Sequence, residues 1–337
     1  MPDVSQLNLF REILSIDSTS GKERELALFL FEKLEAPAKE SWEVGDGTLN
    51  LLFSWGTPEV VFCSHMDTVP PYIPPVFDEE RVSGRGSCDA NGQFFSMYLA
   101  CKELEKRGKK DFGLLILSGE ETGSFGAKAF AKTSFRAPLV IVGEPTYNNL
   151  VSASKGTKSF ELTFKGKSFH SGYPSYGRSA VDMFVDFMED LRSASFPADP
   201  ELGRTTFNVG LLKSDNPQNI LSPELTCRVY FRTTFKTDEM VCEWMREKAR
   251  RKEGQLLIKE RGGDSPAKYF TIEGFPTKTV SFGSDAPHLT NFEKKIICGP
   301  GSILVAHRDD ENILLSDIDK AIENYINIYE SYNQRIR

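Results

Sequence analysis

Val60-Val61-Phe62-Cys63-Ser64-His65-Met66-Asp67-Thr68-Val69-Pro70-Pro71 is the stretch on which the reading of this chain turns. A run of strand formers ends in a His-x-Asp pair, and two prolines then stop the chain. The pattern predicts a buried strand that carries an imidazole and a carboxylate to its C-terminal edge. The question for function is what else arrives at that edge.

Working outward, further apolar runs appear at Leu114-Leu115-Ile116-Leu117, Leu139-Val140-Ile141-Val142 and Lys295-Ile296-Ile297-Cys298, with Leu51-Leu52-Phe53-Ser54-Trp55 upstream. Helical apolar spacing occupies 7–16, 23–34 (Leu26, Leu28, Phe29 and Phe31 as its apolar set), 94–107, 124–132 and 313–332. In 94–107 the shared face is Phe94, Met97, Tyr98, Cys101 and Leu104. Near-continuous apolar strands alternating with helices argue for a parallel α/β sheet buried on both faces. After Val151 the pattern changes. Ser159-Phe160-Glu161-Leu162-Thr163-Phe164 and Glu224-Leu225-Thr226-Cys227-Arg228-Val229-Tyr230-Phe231 alternate cleanly, as half-exposed strands do. With helices at 180–191 and 238–248 and a last strand at Gln255-Leu256-Leu257-Ile258, the order is β-α-β-β-α-β, the ferredoxin-like plan. Arg261-Gly262-Gly263-Asp264-Ser265-Pro266 reads as the return linker, followed by a strand at Lys278-Thr279-Val280-Ser281-Phe282. The expected organisation is an α/β domain over 1–152 and 264–337, with an α+β domain over 153–263 inserted into it.

A net charge of −7 over 337 residues gives no basic footprint for nucleic acid. No apolar run approaches the ~18 residues of a membrane span. Met1-Pro2-Asp3-Val4-Ser5-Gln6 lacks the basic and apolar regions of a secretion signal, so a cytoplasmic chain is expected. The six cysteines have no CxxC spacing and read as small buried apolar residues, with Cys88 singled out because it precedes Asp89.

Several apolar runs end in potential metal ligands. The first leads to His65 and Asp67, the second to Glu120-Glu121, the third to Glu144, and the last through Gly299-Pro300-Gly301 to His307. Asp89 lies in the glycine-rich Gly84-Arg85-Gly86-Ser87-Cys88-Asp89-Ala90-Asn91-Gly92 just before a helix. Sites in open parallel sheets form outside the carboxyl ends of the strands. Two histidines and several carboxylates converging there form the ligand set of a pair of borderline-hard divalent ions.

At this point the chain resembles the M20 metallopeptidases, a family that includes acetylornithine deacetylase, succinyl-diaminopimelate desuccinylase and carboxypeptidase G2. The resemblance runs through His65-Met66-Asp67-Thr68-Val69-Pro70, Gly84-Arg85-Gly86 with Asp89 and Gly92, Gly119-Glu120-Glu121-Thr122-Gly123-Ser124 and Gly143-Glu144-Pro145-Thr146. The last of these, with Gly299-Pro300-Gly301-Ser302 leading to Ala306-His307 and Glu311, is most similar to the acetylornithine deacetylase branch.

The resemblance implies a zinc-peptidase-like sheet domain with a ferredoxin-like lid and dimerisation domain, and two divalent ions per chain, zinc with cobalt or manganese as alternatives. It implies His65 and Glu144 on one ion, Glu121 and His307 on the other, and Asp89 bridging. Asp67 would accept the other ring N–H of His65, and Glu120 would be the general base. His170, in Lys165-Gly166-Lys167-Ser168-Phe169-His170-Ser171-Gly172, would reach the active site of a second subunit and stabilise an oxyanion. Asn219 and Arg232 would hold substrate, and His288 would fall in a substrate-facing loop. Two departures concern the pocket: Ala90-Asn91 where the family often has Met-Lys, and Tyr230-Phe231-Arg232 where it often has Asp-x-Arg. The implied reaction removes an acyl group from an amino acid, with acetylornithine, acetylcitrulline or succinylornithine favoured and a place in arginine biosynthesis. Diaminopimelate desuccinylation, or dipeptidase or carboxypeptidase action, is the enzymatic alternative. An inactive amino-acid-binding relative is the alternative of another class, and an intact Glu120 argues against it.

Overall fold

The wholly buried strand Val60–His65 is the middle of a six-stranded sheet. In the computed structural model, which describes residues 2–336, the chain forms two compact units. The first comprises Met1–Ser152, Tyr269–Lys278 and Ser284–Arg337, and the second Ala153–Lys268 and Thr279–Gly283. The short strand Ala267–Lys268 pairs with Ala153 and Ser154, so the segment after the glycine-rich return stays with the second unit.

In the first unit the strand order is Ala38–Glu43, Leu49–Trp55, Phe112–Leu117, Val60–His65, Ala137–Val142, Phe292–Ile297. The last four are parallel. The first two are not, which corrects the expectation of a wholly parallel sheet. Only the short Gly45–Gly47 turn separates them, and so tight a connection leaves room for an antiparallel hairpin alone. Thr277–Val280 is a strand but lies outside this sheet, a second departure from expectation.

Helix Asn91–Lys106 packs between the sheet and the closing helix Leu315–Ile336. Every residue from Asn91 to Cys101 is therefore buried, a wider face than the sequence periodicity implies. Phe62 meets Tyr325 edge-on at 5.7 Å, and Phe10 of helix Val4–Leu14 stacks on Phe95 at 4.4 Å. Helix Glu23–Lys33 turns Leu26, Ala27 and Leu30 to the core and leaves Leu28 exposed, although the sequence grouped Leu28 with the apolar set.

The second unit has the expected β-α-β-β-α-β order. Its sheet runs Thr206–Lys213, Glu224–Thr233, Gly156–Lys165, Leu256–Gly262, with helices Ala180–Ser193 and Asp238–Arg251. Phe160, Phe164, Phe187 and Phe231 fill its core. The opposite face is polar, with ion pairs such as Arg261–Glu161 at 2.6 Å.

Candidate functional site

Parallel pairing sets the site, because it brings the C-terminal ends of four strands to one edge. The ladder continues past the strand ends: Met66 N–H donates to Leu117 O at 2.8 Å, Gly143 N–H to Cys63 O at 2.7 Å, and Cys298 N–H to Val142 O at 3.0 Å. His65 is thus the last residue of its strand, Glu144 follows Ala137–Val142, and Glu120-Glu121 follow Phe112–Leu117 across Ser118-Gly119. Gly119 has φ of +73°, and a Cβ there would lie 1.8 Å from the Phe125 ring, so only glycine makes this turn. Asp89 sits at the start of helix Asn91–Lys106, after a tight loop, and its bond to Ala90 is cis.

Asp89 lies between the two imidazoles. His65 Nε2 is 3.3 Å from its Oδ1, and His307 Nε2 is 3.4 Å from its Oδ2. His307 Nε2 also lies 2.8 Å from Glu121 Oε1. Ligand atoms of His65, Asp89 and Glu121 fall within 4.8 Å of one another. Burial works against the charge on Asp89, yet the flanking His307 and His65 hold its carboxyl below the usual range. His65 is likewise buried, but Asp67, Asp89 and Glu120 hold its pKa well above 6.5. His307, half exposed and with a left-handed φ of +62°, is pushed up to about 10 by Asp89 and Glu121. Glu120 and Glu144 are driven well above the usual carboxylate range, first by burial and then by neighbouring acids (Glu144 on Glu120, Asp89 on Glu144, Asp285 and Glu121 on both), against the pull of His65.

Asp67 lies against His65 and has further partners beside it. The ring N–H at His65 Nδ1 points to the backbone carbonyl of Asp67 at 2.9 Å, and the carboxylate is farther, at 3.5 Å. That carboxylate also accepts the backbone N–H of Glu120 (2.9 Å) and Glu121 (3.0 Å), with Ser20 Oγ at 3.2 Å. One buried acid therefore faces the histidine through its carbonyl and its carboxylate, and holds the glutamate pair through its side chain.

Asp285 is a site residue that sequence reading passed over in favour of its neighbour His288. It is 2% exposed, its Oδ1 is buried without a hydrogen bond, and its other contacts include the Ser124 side chain. Burial, with Asp67 adding, pushes it up to about 6 against the pull of His65, Ser124 and His288. It is an acid placed shortly after a strand, the same signal that marked Glu144. His288 itself is half-buried in the short turn Ala286–His288. Cys88 is buried with a thiol pushed well up by burial, so it is an inert packing group rather than a reactive one.

The remaining sequence candidates lie in the second unit. His170 and Asn219 are brought together, since Ser171 N–H donates to Asn219 O at 2.9 Å and His170 bridges Ile220. His170 is exposed, and its Nδ1 accepts Gly172 N–H at 3.1 Å, which leaves Nε2 to carry the proton. Arg232 is on a different element, strand Glu224–Thr233, facing Thr157 and Thr206 on its neighbours. Its guanidinium lies 5.0 Å from the Tyr230 ring, and among the described residues it forms no ion pair.

The donor set fits divalent cations. Asp89 Oδ1 and Glu144 Oε1 are buried and accept no hydrogen bond among the described residues. Native structures seldom leave such oxygens orphaned. Imidazole and carboxylate together suit zinc, cobalt or manganese.

Residues 61–331 match the family described as Peptidase family M20/M25/M40. A probable carboxypeptidase of Aspergillus flavus is 31% identical over 98% of this chain and 88% of its own. Among solved structures, a tripeptidase of Staphylococcus aureus aligns with a TM-score of 0.79 at 18% identity, covering 96% of both chains. An M20 family metallo-carboxypeptidase of Sulfolobus solfataricus aligns at 0.76 and 17%, covering 98% of this chain and 99% of that one. With the family match spanning most of its length, the chain belongs to peptidase family M20/M25/M40 and is a metal-dependent hydrolase of amide bonds.

Proposed function

We propose that the chain hydrolyses an amide whose leaving group is an amino acid with a free carboxylate, using two divalent ions, of which zinc suits the donors best and cobalt or manganese also fit. The observation that carries this is Asp89 held between His65 and His307, with Glu121 on His307 and Glu120 beside it. His65 and Glu144 are assigned to one ion, Glu121 and His307 to the other, and Asp89 to both. Ions bound there polarise a carbonyl and lower the pKa of water. Glu120 takes the proton of the attacking water and returns it to the leaving amine. Its raised pKa suits both halves of that exchange. Asp67 fixes the direction of Glu120 and Glu121 through their backbone N–H groups.

His170 is assigned to oxyanion stabilisation in the second subunit of a homodimer, and Asn219 and Arg232 to substrate. Arg232 suits a carboxylate because it has a two-pronged donor and, among the described residues, no acid already on it. His288 is assigned to the pocket wall. The homodimer reading is supported by edge strand Thr206–Lys213, which ends in the exposed Leu211 and Leu212 and has an unpaired side open to a second copy.

The favoured substrates are N-acyl amino acids of the acetylornithine type (acetylornithine, acetylcitrulline, succinylornithine), on the strength of Gly143-Glu144-Pro145-Thr146 and Gly299-Pro300-Gly301-Ser302. A place in arginine biosynthesis, in the cytoplasm, belongs to that reading. The second reading, a carboxypeptidase or dipeptidase, is favoured by the name of the Aspergillus relative. A release assay separates them: ion-supplemented protein is offered the three acyl amino acids, succinyl-diaminopimelate and a panel of dipeptides side by side. Fastest release from an acyl amino acid is expected, and a dipeptide or longer peptide outpacing all of them overturns the deacylase reading.

A further inference from the structure

Arg85 and Glu311 form an ion pair at 2.6 Å, with side chains only 2% and 1% exposed. Taking both charges out of water is costly unless each remaining donor and acceptor is used. Here they are used on the loops that carry the site. Glu311 Oε1 accepts the backbone N–H of Cys88 (3.1 Å) and of Asp89 itself (3.0 Å). Arg85 Nε reaches Pro71 O and its Nη1 reaches Arg308 O, each at 3.2 Å. The main chain adds Gly84 N–H to Glu311 O at 2.9 Å and Arg85 N–H to Ile73 O at 3.0 Å.

Pro71 lies just past His65 and Asp67, Cys88 precedes Asp89, and Arg308 follows His307. One charge pair therefore touches the loops that carry Asp89 and His307 and the loop that follows His65, in each case on the backbone. Lysine could not reach two carbonyls and a carboxylate at once, whereas the planar guanidinium can. A pair that served folding alone has no need to address the backbone at Asp89, beside His307 and in the loop after His65 together. We propose that Arg85 and Glu311 are positioning residues for the ion site, setting Asp89 and His307 relative to His65 so that divalent-ion affinity depends on them. This rests on the ion-binding reading above.

The test is calorimetric titration of zinc chloride and cobalt chloride into the chelator-stripped full chain. Glu311→Gln and Arg85→Lys are each expected to raise Kd by about 10–100-fold, the usual effect of losing a group behind a ligand. Circular dichroism should remain unchanged in both. The cobalt absorption bands should shift, because ligand geometry and not only the amount of folded protein has changed. The double variant should lose less than the product of the two losses, since the residues act as one unit. Asn291→Ala is the structural control. Asn291 is a buried side chain bonded to Phe135 O at 2.9 Å, and this variant should melt earlier yet keep the parent Kd. Arg85→Lys keeps a charge opposite Glu311, so it carries the test if Glu311→Gln does not fold. A Kd within twofold of the parent in the folded variants overturns the proposal, whereas a parent chain that binds neither ion overturns the ion reading itself.

Discussion

The ligand edge of the first unit and the outer face of the second unit's sheet both gather charged side chains, but they are built differently. At the ligand edge Asp67, Asp89, Glu144, Asp285 and Glu311 are buried, and three of them, Asp67, Asp89 and Glu311, are oriented by backbone N–H groups or by a histidine. On the second unit's face, pairs such as Glu161–Arg228 are half exposed and span 3.7 Å, and His170 and Asn219 are open to solvent. Exposed pairs contribute about 0–1 kcal/mol and hold little geometry. Buried, bonded acids hold geometry at a cost, which makes sense where the geometry itself is the function. The first region is therefore preorganised, and the second is a surface whose proposed functional groups must be ordered by what binds.

The largest effect should come from the preorganised region. Glu120→Gln removes the proton carrier without disturbing Asp67, which holds the backbone N–H and not the side chain. Turnover should fall by about 10²–10⁴. The ion content, measured by atomic emission on the same sample, should stay at the parent level. Ion loss in this variant would break the comparison, because it would make Glu120 part of the ion cage.

His170→Ala is the next test, and it asks how much the open face contributes. Loss of an oxyanion donor lowers kcat by about 10²–10³. Mixing His170→Ala subunits with Glu120→Gln subunits should restore part of the activity if His170 serves the second subunit's site. No recovery in the mixture counts against action between subunits.

A smaller effect is expected at Arg232. Arg232→Lys keeps the charge and loses the fork, so KM should rise roughly tenfold, about 1.4 kcal/mol, with kcat little changed. A fall in kcat with constant KM would mean that Arg232 acts on the transition state, and the contrast drawn above would narrow.

What the sequence disclosed follows the same division. His65, Glu144 and Glu120-Glu121 were legible because each ends or follows an apolar run, and strand period and parallel pairing then dictate where the ends go. The β-α-β-β-α-β order was legible from alternation. The pair Arg85–Glu311 was not, since its members are 226 positions apart and only the folded loops bring them together. Asp285 was overlooked because a histidine three residues on drew attention away from it. Asp67 was found behind His65, but its bonds to the Glu120 and Glu121 N–H groups were not, because spacing locates a carboxylate without saying how many N–H groups it faces. The antiparallel hairpin and exposed Leu28 were missed because a short apolar stretch does not reveal strand direction, nor which flank of a helix meets the core.

The mildest prediction concerns protons and bears directly on the built site. In the ion-free chain His307 titrates near 10, held up by Asp89 and Glu121, and His65 titrates above its ordinary 6.5. At pH 7 the His307 ring then carries a proton. A ring nitrogen must be neutral to bind a cation, so ion uptake expels protons and apparent affinity rises with pH, by up to about tenfold per unit for each proton released. Stability of the ion-free fold runs the other way. A raised folded pKa gives stability that is fully present below the unfolded value of 6.5 and is lost as pH rises through about 10. Melting temperatures of chelator-treated protein should therefore fall between those values while zinc affinity climbs. Both slopes should flatten in His307→Gln. Titration in two buffers of different ionisation enthalpy counts the released protons directly. Zero release at pH 7, or parallel slopes for stability and affinity, would mean that the imidazoles are already neutral and that Asp89 is held by something other than their charge.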